Sequence, residues 1–326
     1  MSRPAAREPR TVPAIPAGTG WGLALALVAA SISGVAIYLN AFAVKQLPDA
    51  AVYTTLKNGV AAGALLLIAV GLGAARDVRT IERGRWPALL AVGVIGGSIP
   101  FVLFFTGLAQ ASAPSAAFIQ KTLFVWVALL AVPFLGERVG IASIVGLGVL
   151  VVGQALVLPP DGMVWGTGET MILAATLCWA VEVVLVKHLL RDIPSYVMAA
   201  VRMGVGLAVL SVYLVVTGKA SVLSTLDTTQ WGWVLLTGII LAGYVATWFG
   251  ALQRAPATVV ASVLVLGAVI TGSLSSITKG APPSPTVVGG YVLIVLAIGL
   301  IAWRARHASR HQVPNALGRP GAARVA

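Results

Sequence analysis

The chain has 326 residues, of which 58% are hydrophobic and only 10% are charged, and its net charge is +12. A soluble domain is about half apolar and a quarter charged, so these few charges cannot cover the surface of a soluble protein of this length. The composition therefore excludes a soluble globular enzyme and a disordered chain, and it indicates a protein solvated mainly by lipid. The single cysteine, Cys178, excludes an intramolecular disulfide and a multi-thiolate metal site.

The predicted elements are apolar stretches near the length of about 20 helical residues that crosses a bilayer core. In chain order these ten stretches are 21–44, 50–72, 86–108, 115–135, 139–158, 168–186, 195–216, 231–252, 257–278 and 284–303. Their length and uniform apolarity predict helices rather than the shorter alternating strands of a membrane barrel. Residues 1–20 and 304–326 are arginine-bearing segments with little to bury, so we expect both to be flexible tails.

The distribution of positive charge predicts the orientation of these spans. With the amino terminus inside the cell, sixteen lysines and arginines fall on inner segments, and only Lys45, Lys219 and Lys279 fall on outer ones. Positive charge favours the cytoplasmic side, so both tails are predicted to be cytoplasmic. The excess charge is therefore a topological signal and does not indicate a nucleic-acid partner.

Several landmarks occur twice, in the same order, in the two halves of the chain. Lys57-Asn58-Gly59 is echoed by Arg202-Met203-Gly204, and Leu47-Pro48 is echoed by Ile193-Pro194. Each half holds five predicted helices, and an odd number of crossings turns the second copy over in the membrane. The predicted fold class is therefore an all-α integral membrane protein with ten transmembrane helices in two inverted five-helix repeats, an arrangement typical of secondary transporters.

The segment Pro133-Phe134-Leu135-Gly136-Glu137-Arg138 precedes a glycine-rich helix. Together with the repeat, it resembles the EamA family of the drug/metabolite transporter superfamily, over repeats at 21–158 and 166–303. The family marker Gly-Glu is present at Gly136-Glu137, but the second half has Lys279-Gly280-Ala281-Pro282-Pro283 in its place. The resemblance implies transport of small metabolites across the cell membrane, often as export, and names no substrate.

Two lysines lie within the predicted spans, Lys57 in the second and Lys121 in the fourth. Each lies about 10 Å along its helix at 1.5 Å per residue. A charge at the bilayer centre costs about 3 kcal/mol, so it usually faces a cavity or a partner. Two ammonium groups at one level favour an anionic group of a substrate. The alternative is that the long lysine stems reach the membrane interface.

Arg202 and Glu182 are the other charged residues deep in the spans, in the seventh and sixth helices. One interpretation is a buried ion pair that joins two helices. The other is that Glu182 takes up and releases a proton during transport, while Arg202 binds or neutralises a substrate. Burial raises and a nearby arginine lowers a carboxyl pKa, so the sequence leaves both interpretations open.

Three aromatic residues complete the candidate substrate site. Trp179 lies three positions from Glu182, and Tyr244 lies four positions from Trp248, so each pair shares a helix face. These side chains are predicted to wall a pocket, with packing between helices or against lipid as the alternative.

The sequence predicts a secondary transporter, with export of a small organic metabolite by alternating access as the first hypothesis. The alternatives are an antiporter of anionic metabolites, such as organic acids or phosphorylated compounds, and a membrane scaffold without transport. No HExxH, P-loop, GxSxG or acidic-cluster motif is present, so neither an enzyme nor a bound cofactor is predicted. The expected partners are a small-molecule substrate and the lipid bilayer, and the oligomeric state is open between a monomer and a homodimer.

Overall fold

A computed structural model describes residues 19–137, 139–157 and 164–311 of the chain, with side chains through residue 307. This part of the chain is helical and contains no strand. The α-helices are α1 Thr19–Gln46, α2 Ala50–Gly71, α3 Ala74–Thr80, α4 Trp86–Ile95, α5 Ile99–Gln110, α6 Ala113–Lys121, α7 Leu123–Leu135, α8 Ile141–Val157, α9 Thr167–Leu189, α10 Ser195–Val216, α11 Thr228–Arg254, α12 Ala257–Val263, α13 Leu266–Lys279 and α14 Pro285–His311. Two short 3₁₀ helices, Arg83–Arg85 and Lys219–Thr225, join them.

The predicted membrane fold is confirmed over the described ranges. Nine helical segments are long and apolar enough to cross a membrane, and the shorter apolar helix α8 supplies the tenth span. α14 continues beyond the predicted end at residue 303 as far as His311. Most of the two predicted tails, residues 1–18 and 312–326, and Arg138 of the family motif lie outside the described residues.

Three of the ten spans are interrupted, which the hydropathy pattern did not predict. The third span consists of α4 and α5, which are separated at Gly96–Ser98. Pro100, in the first turn of α5, has no N–H group and so cannot continue the backbone hydrogen bonds of α4. The fourth span consists of α6 and α7, and the ninth of α12 and α13, which are the corresponding spans of the two repeats. Interrupted helices free backbone polar groups inside the protein, where side chains can bind them.

The main helix contacts join one repeat to the other. α1 packs on α11, α5 on α9, α2 on α10 and α8 on α14. The same contacts occur when the two repeats are exchanged. The contact between α1 and α13 corresponds to the contact between α9 and α7, and the contact between α2 and α11 corresponds to the contact between α10 and α4. The two repeats are therefore interlocked about a pseudo-twofold axis, and the protein interior lies between them.

Glycine permits the closest of these approaches. A Cβ atom on Gly107 of α5 would lie 2.5 Å from the carbonyl oxygen of Gly168 on α9, and one on Gly290 of α14 would lie 2.7 Å from the carbonyl oxygen of Gly153 on α8. Helix backbones in membranes pack closely where both carry small residues. Gly93 and Gly97, which lie four residues apart, permit the same close approach to α10.

Candidate functional site

A cavity of about 80 Å³ lies between the repeats, with walls from α1, α2 and α5 of the first and α9, α10 and α11 of the second. Six of the seven predicted site residues line it: Lys57, Trp179, Glu182, Arg202, Tyr244 and Trp248. The seventh, Lys121, does not line the cavity, but it donates a hydrogen bond of 2.7 Å to Ser33, which does. The structure thus brings the predicted residues together, and their roles in binding remain predictions.

Lys57 is 1% exposed, and its ammonium group faces the protein interior. The Nζ atom donates a hydrogen bond of 3.2 Å to Asn40 Oδ1 and lies 3.4 Å from the centre of the Phe105 ring. A cation over an aromatic face is stabilised by the ring quadrupole. The lysine therefore does not extend to the membrane interface, which was the alternative interpretation of its position.

Asn40 is the centre of a polar cluster beside Lys57. Its Oδ1 atom also accepts a hydrogen bond from the hydroxyl group of Tyr53, which lies 3.0 Å from the hydroxyl group of Thr237 on α11. Three of these residues, Asn40, Lys57 and Thr237, reach the cavity wall. The cluster holds the ammonium group at a fixed place where the first repeat meets the second.

Lys121, at the end of α6, is completely buried. Its side chain runs past Gly267 of α13, where a Cβ atom would lie 2.8 Å from Lys121 Cε. The glycine provides the room that the lysine needs. Lys121, like Lys57, is thus held inside the protein and has no bond to a carboxylate in the described part of the chain.

Arg202 and Glu182 form a buried salt bridge across α10 and α9. The Nε atom of Arg202 donates to Glu182 Oε1, and Nη2 donates to Oε2 at 3.0 Å, so the contact is bidentate. Nη1 lies 3.2 Å from the sulfur of Met203. Planar pairs of this kind combine charge and geometry and hold both side chains in place.

The interruption of the third span supports this ion pair. The carbonyl oxygen of Gly96, at the end of α4, accepts hydrogen bonds from Arg202 Nη2 at 2.8 Å and from Trp179 Nε1 at 3.2 Å. A Cβ atom at Gly96 would overlap the Glu182 carboxylate. The break thus provides both a free carbonyl group and the space for a charged side chain.

Aromatic rings form much of the remaining wall. Trp179 contacts Phe101 and Phe104 edge-on or tilted, with ring centres 5.5 and 5.4 Å apart, while Tyr244 stacks on Trp248 at 6.0 Å. The three phenylalanines of α5, Phe101, Phe104 and Phe105, were missed as site residues. Their spacing along one face of a helix with a proline in its first turn could have identified them.

Other lining residues were also missed from the sequence. They are the polar residues Ser33, Asn40, Gln120 and Thr237. Single polar residues of this kind are common in membrane helices, where they often bond their own backbone, so the sequence alone does not distinguish them. They are selected by packing, which brings residues of α1, α6 and α11 to the same cavity.

Glu137, the family-marker glutamate, lies at one end of the molecule rather than in the cavity. Its carboxylate accepts hydrogen bonds from the backbone N–H groups of Ala257 and Thr258 at 2.6 and 3.1 Å, at the start of α12. Lys187 donates to the carbonyl oxygens of Leu252 and Ala255 at 2.5 and 2.8 Å, at the end of α11. The turn between the eighth and ninth spans is thus bound from both sides.

The second repeat has Ala281 at the position that corresponds to Glu137, directly after the glycine that ends the helix. α7 and α13 end alike, with Gly136 and Gly280 at φ 66° and 62°, a conformation that favours glycine. At the start of α6, however, Ser112 accepts a hydrogen bond from the backbone N–H of Ser115, so that helix is capped by its own residue. Pro256, the residue before α12, has no side chain that can accept a hydrogen bond, so α12 depends on Glu137 for its cap whereas α6 does not need a glutamate.

Known proteins resemble this chain in sequence and in fold. An uncharacterized transporter from Methanothermobacter thermautotrophicus is 25% identical over 144 residues, a match that spans 42% of this chain and 42% of that relative. A protein of known crystal structure is 17% identical and superimposes with a TM-score of 0.67, covering 88% of this chain and 98% of the other, which shows a shared fold.

The sequence also matches a family description twice, once in each repeat. The EamA-like transporter family matches residues 20–158 and again residues 166–303, which together include all ten spans. The resemblance noted in the sequence is thereby confirmed, and the chain belongs to the EamA-like transporter family.

Proposed function

We propose that this protein is a secondary transporter that exports a small organic metabolite across the plasma membrane by alternating access, with both termini in the cytoplasm. The observation that carries the proposal is the cavity between the repeats, which gathers Lys57, Glu182 and Arg202 with a wall of aromatic rings. Charged groups inside a membrane protein are costly and mark substrate or ion pathways. Rocking of helix bundles around such a site would expose it to either side in turn.

In this mechanism the predicted residues have distinct roles. Lys57 and Arg202 bind or neutralise the substrate within the cavity, and Lys121 contributes positive charge from behind Ser33. Trp179, Tyr244 and Trp248 pack against the apolar part of the substrate. Glu182 either exchanges a proton during the cycle or serves as the structural partner of Arg202.

A second candidate function is antiport of anionic metabolites. Lys57 and Lys121 are both buried, and neither is bonded to a carboxylate within the described ranges. Arg202, by contrast, has Glu182 as a partner. The excess of buried positive charge favours an anion on each half of an exchange cycle.

The test is a transport screen in an efflux-deficient host, followed by flux measurements in proteoliposomes that contain the full chain. Amino acids, organic acids and organic bases are the compounds compared. We expect export of one class, with loss of that export in Lys57→Ala. The matched control is Lys45→Ala, at the exposed end of α1, which should transport normally. No flux of any class would contradict the proposal and favour a scaffold.

A further inference from the structure

We infer that the cavity binds a small monocarboxylate with an aromatic or apolar body, and that Lys57 binds the carboxylate. This inference rests on the proposed transport function and specifies its substrate class. It follows from which charges in the cavity wall are already neutralised and which are not.

The first step concerns Arg202 and Glu182. The arginine has all three guanidinium nitrogens engaged, by the Glu182 carboxylate, the Gly96 carbonyl oxygen and the Met203 sulfur. The glutamate in turn has both oxygens bonded to the arginine. The pair is therefore neutral as a unit in this structure, so Lys57 is the first group to meet a charged substrate, and Arg202 can bind one only after Glu182 releases it.

The second step concerns Lys57, the one remaining charged group among the described residues that line the cavity. Its ammonium has three donors, and the structure gives it a single hydrogen bond, to Asn40. An isolated buried charge is costly unless it is paired. A substrate with one negative charge would provide the missing partner. Lys121, whose Nζ atom lies 2.7 Å from the hydroxyl group of the lining residue Ser33, adds to the positive electrostatic potential in the cavity.

The third step excludes other charge types. The ammonium group of an amino acid zwitterion or an organic cation is repelled by Lys57, and the only carboxylate in the described cavity wall is already bound to Arg202. A phosphate ester carries about two charges, and Lys57, the unpaired cation among the described lining residues, would leave one of them unmatched in a mainly apolar cavity. The charge balance thus selects a monoanion.

The fourth step concerns the body of the substrate. The walls around Lys57 are aromatic and include Phe104, Phe105, Trp179 and Trp248. Gln120 and Thr237 add neutral polar groups, which can bind a hydroxyl group but provide no charge. An arene or branched apolar chain that carries one carboxylate fits this lining.

Binding to the purified full-length protein in nanodiscs tests the inference, with benzoate, its neutral analogue benzamide, phenylalanine and benzylamine as probes. Binding is read from the rise in thermal unfolding temperature and from tryptophan fluorescence, since ligands stabilise the state they bind. We expect benzoate to bind at least tenfold more tightly than benzamide. Lys57→Met should remove this preference and leave benzamide binding unchanged, Lys57→Arg should retain it, and Lys45→Met should behave as the parent protein.

Flux of the same four probes in proteoliposomes separates the two levels of the proposal. Benzoate flux that depends on Lys57 supports the inference. Equal binding of benzoate and benzamide, or a preference for benzoate that persists in Lys57→Met, overturns it. Flux of phenylalanine or benzylamine in place of benzoate overturns the substrate class but leaves the transport function intact. Absence of flux for all four probes also overturns the substrate class, and the transport function is contradicted only if the broader screen finds no flux either.

Discussion

Glu137 and Thr258 are joined by two hydrogen bonds across the boundary between the repeats, from the Thr258 backbone N–H at 3.1 Å and from its hydroxyl group at 2.7 Å, both to Oε2. The glutamate follows the fourth span, and the threonine opens the ninth. The acidic residue of the family marker is therefore a cap that one repeat provides to a helix of the other. In this chain it stabilises the contact between the repeats at one end of the molecule.

Removal of this cap should destabilise the protein. We expect Glu137→Ala to cost about 1–3 kcal/mol, because three hydrogen bonds to a carboxylate are lost and two backbone N–H groups are left without it. Thermal unfolding of the purified protein measures the effect. Glu82→Ala is the control, since Glu82 is exposed and makes no capping hydrogen bond. Equal unfolding temperatures for the two variants would contradict the capping role.

Gly96 should tolerate no side chain. We expect Gly96→Ala to reduce both transport and thermal stability, since its methyl group would occupy the space of the Glu182 carboxylate and displace the ion pair with Arg202. Gly63→Ala provides a matched control, because a Cβ at that position meets no atom within 4 Å. Alanine is also the better helix former, so the control should be as stable as the parent or more so. Normal transport by Gly96→Ala would show that the break needs no glycine.

Glu182→Gln tests whether the carboxyl group carries a proton during transport. Glutamine has the same shape but does not titrate, so we expect transport driven by a pH gradient to be lost while exchange without a gradient persists. Proteoliposome assays in the two modes measure this difference. Glu169→Gln, at the other end of α9, should behave as the parent protein in both. Unchanged pH-driven transport by Glu182→Gln would instead favour a purely structural role beside Arg202.

The pair of Asp49 and Lys219 predicts a pH dependence of stability outside the spans. Burial raises the pKa of Asp49. The hydrogen bond and charge of Lys219 and the backbone N–H groups at the start of α2 together lower this pKa by more, so the net shift is downward. A carboxyl group with a lowered pKa in the folded state stabilises the protein above its unfolded pKa of about 4, and this contribution is lost as the pH falls through the folded value.

Asp49→Asn removes the charge but keeps a residue that caps helices well. We expect the unfolding temperature of this variant to fall less steeply between pH 5 and 3 than that of the parent protein. The difference should be small, since the ion pair is partly exposed. Parallel curves for the two proteins would show that the Asp49 charge does not contribute to acid stability.

The sequence predicted most of the fold because membrane spans obey a simple rule. A helix that crosses lipid must be apolar for about 20 residues, whatever its neighbours are, so hydropathy alone located all ten spans. The interruptions were not predicted, since they depend on what the freed backbone groups meet. The Gly96 carbonyl is acceptable inside the protein only because Arg202 and Trp179 donate to it.

The candidate site was predictable in its charges and less so in its lining. Lys57, Glu182 and Arg202 stood out because each is costly in a membrane span. Phe105 and Asn40, by contrast, are ordinary residues of membrane helices, and they matter only because packing places both against the Lys57 ammonium. Lys121 shows the limit of the argument, since its depth suggested a cavity position and packing placed it behind Ser33.

The packing of helices from one repeat against helices of the other has a consequence for biosynthesis. α1 and α8 have their main partners in α11 and α14, which belong to the eighth and the tenth span in chain order. During translation α1 and α8 therefore remain in the lipid without their main partners until these later spans are made. The contact between α8 and α14 forms only once the final span is complete, so truncation of α14 should expose one face of α8 in the first repeat.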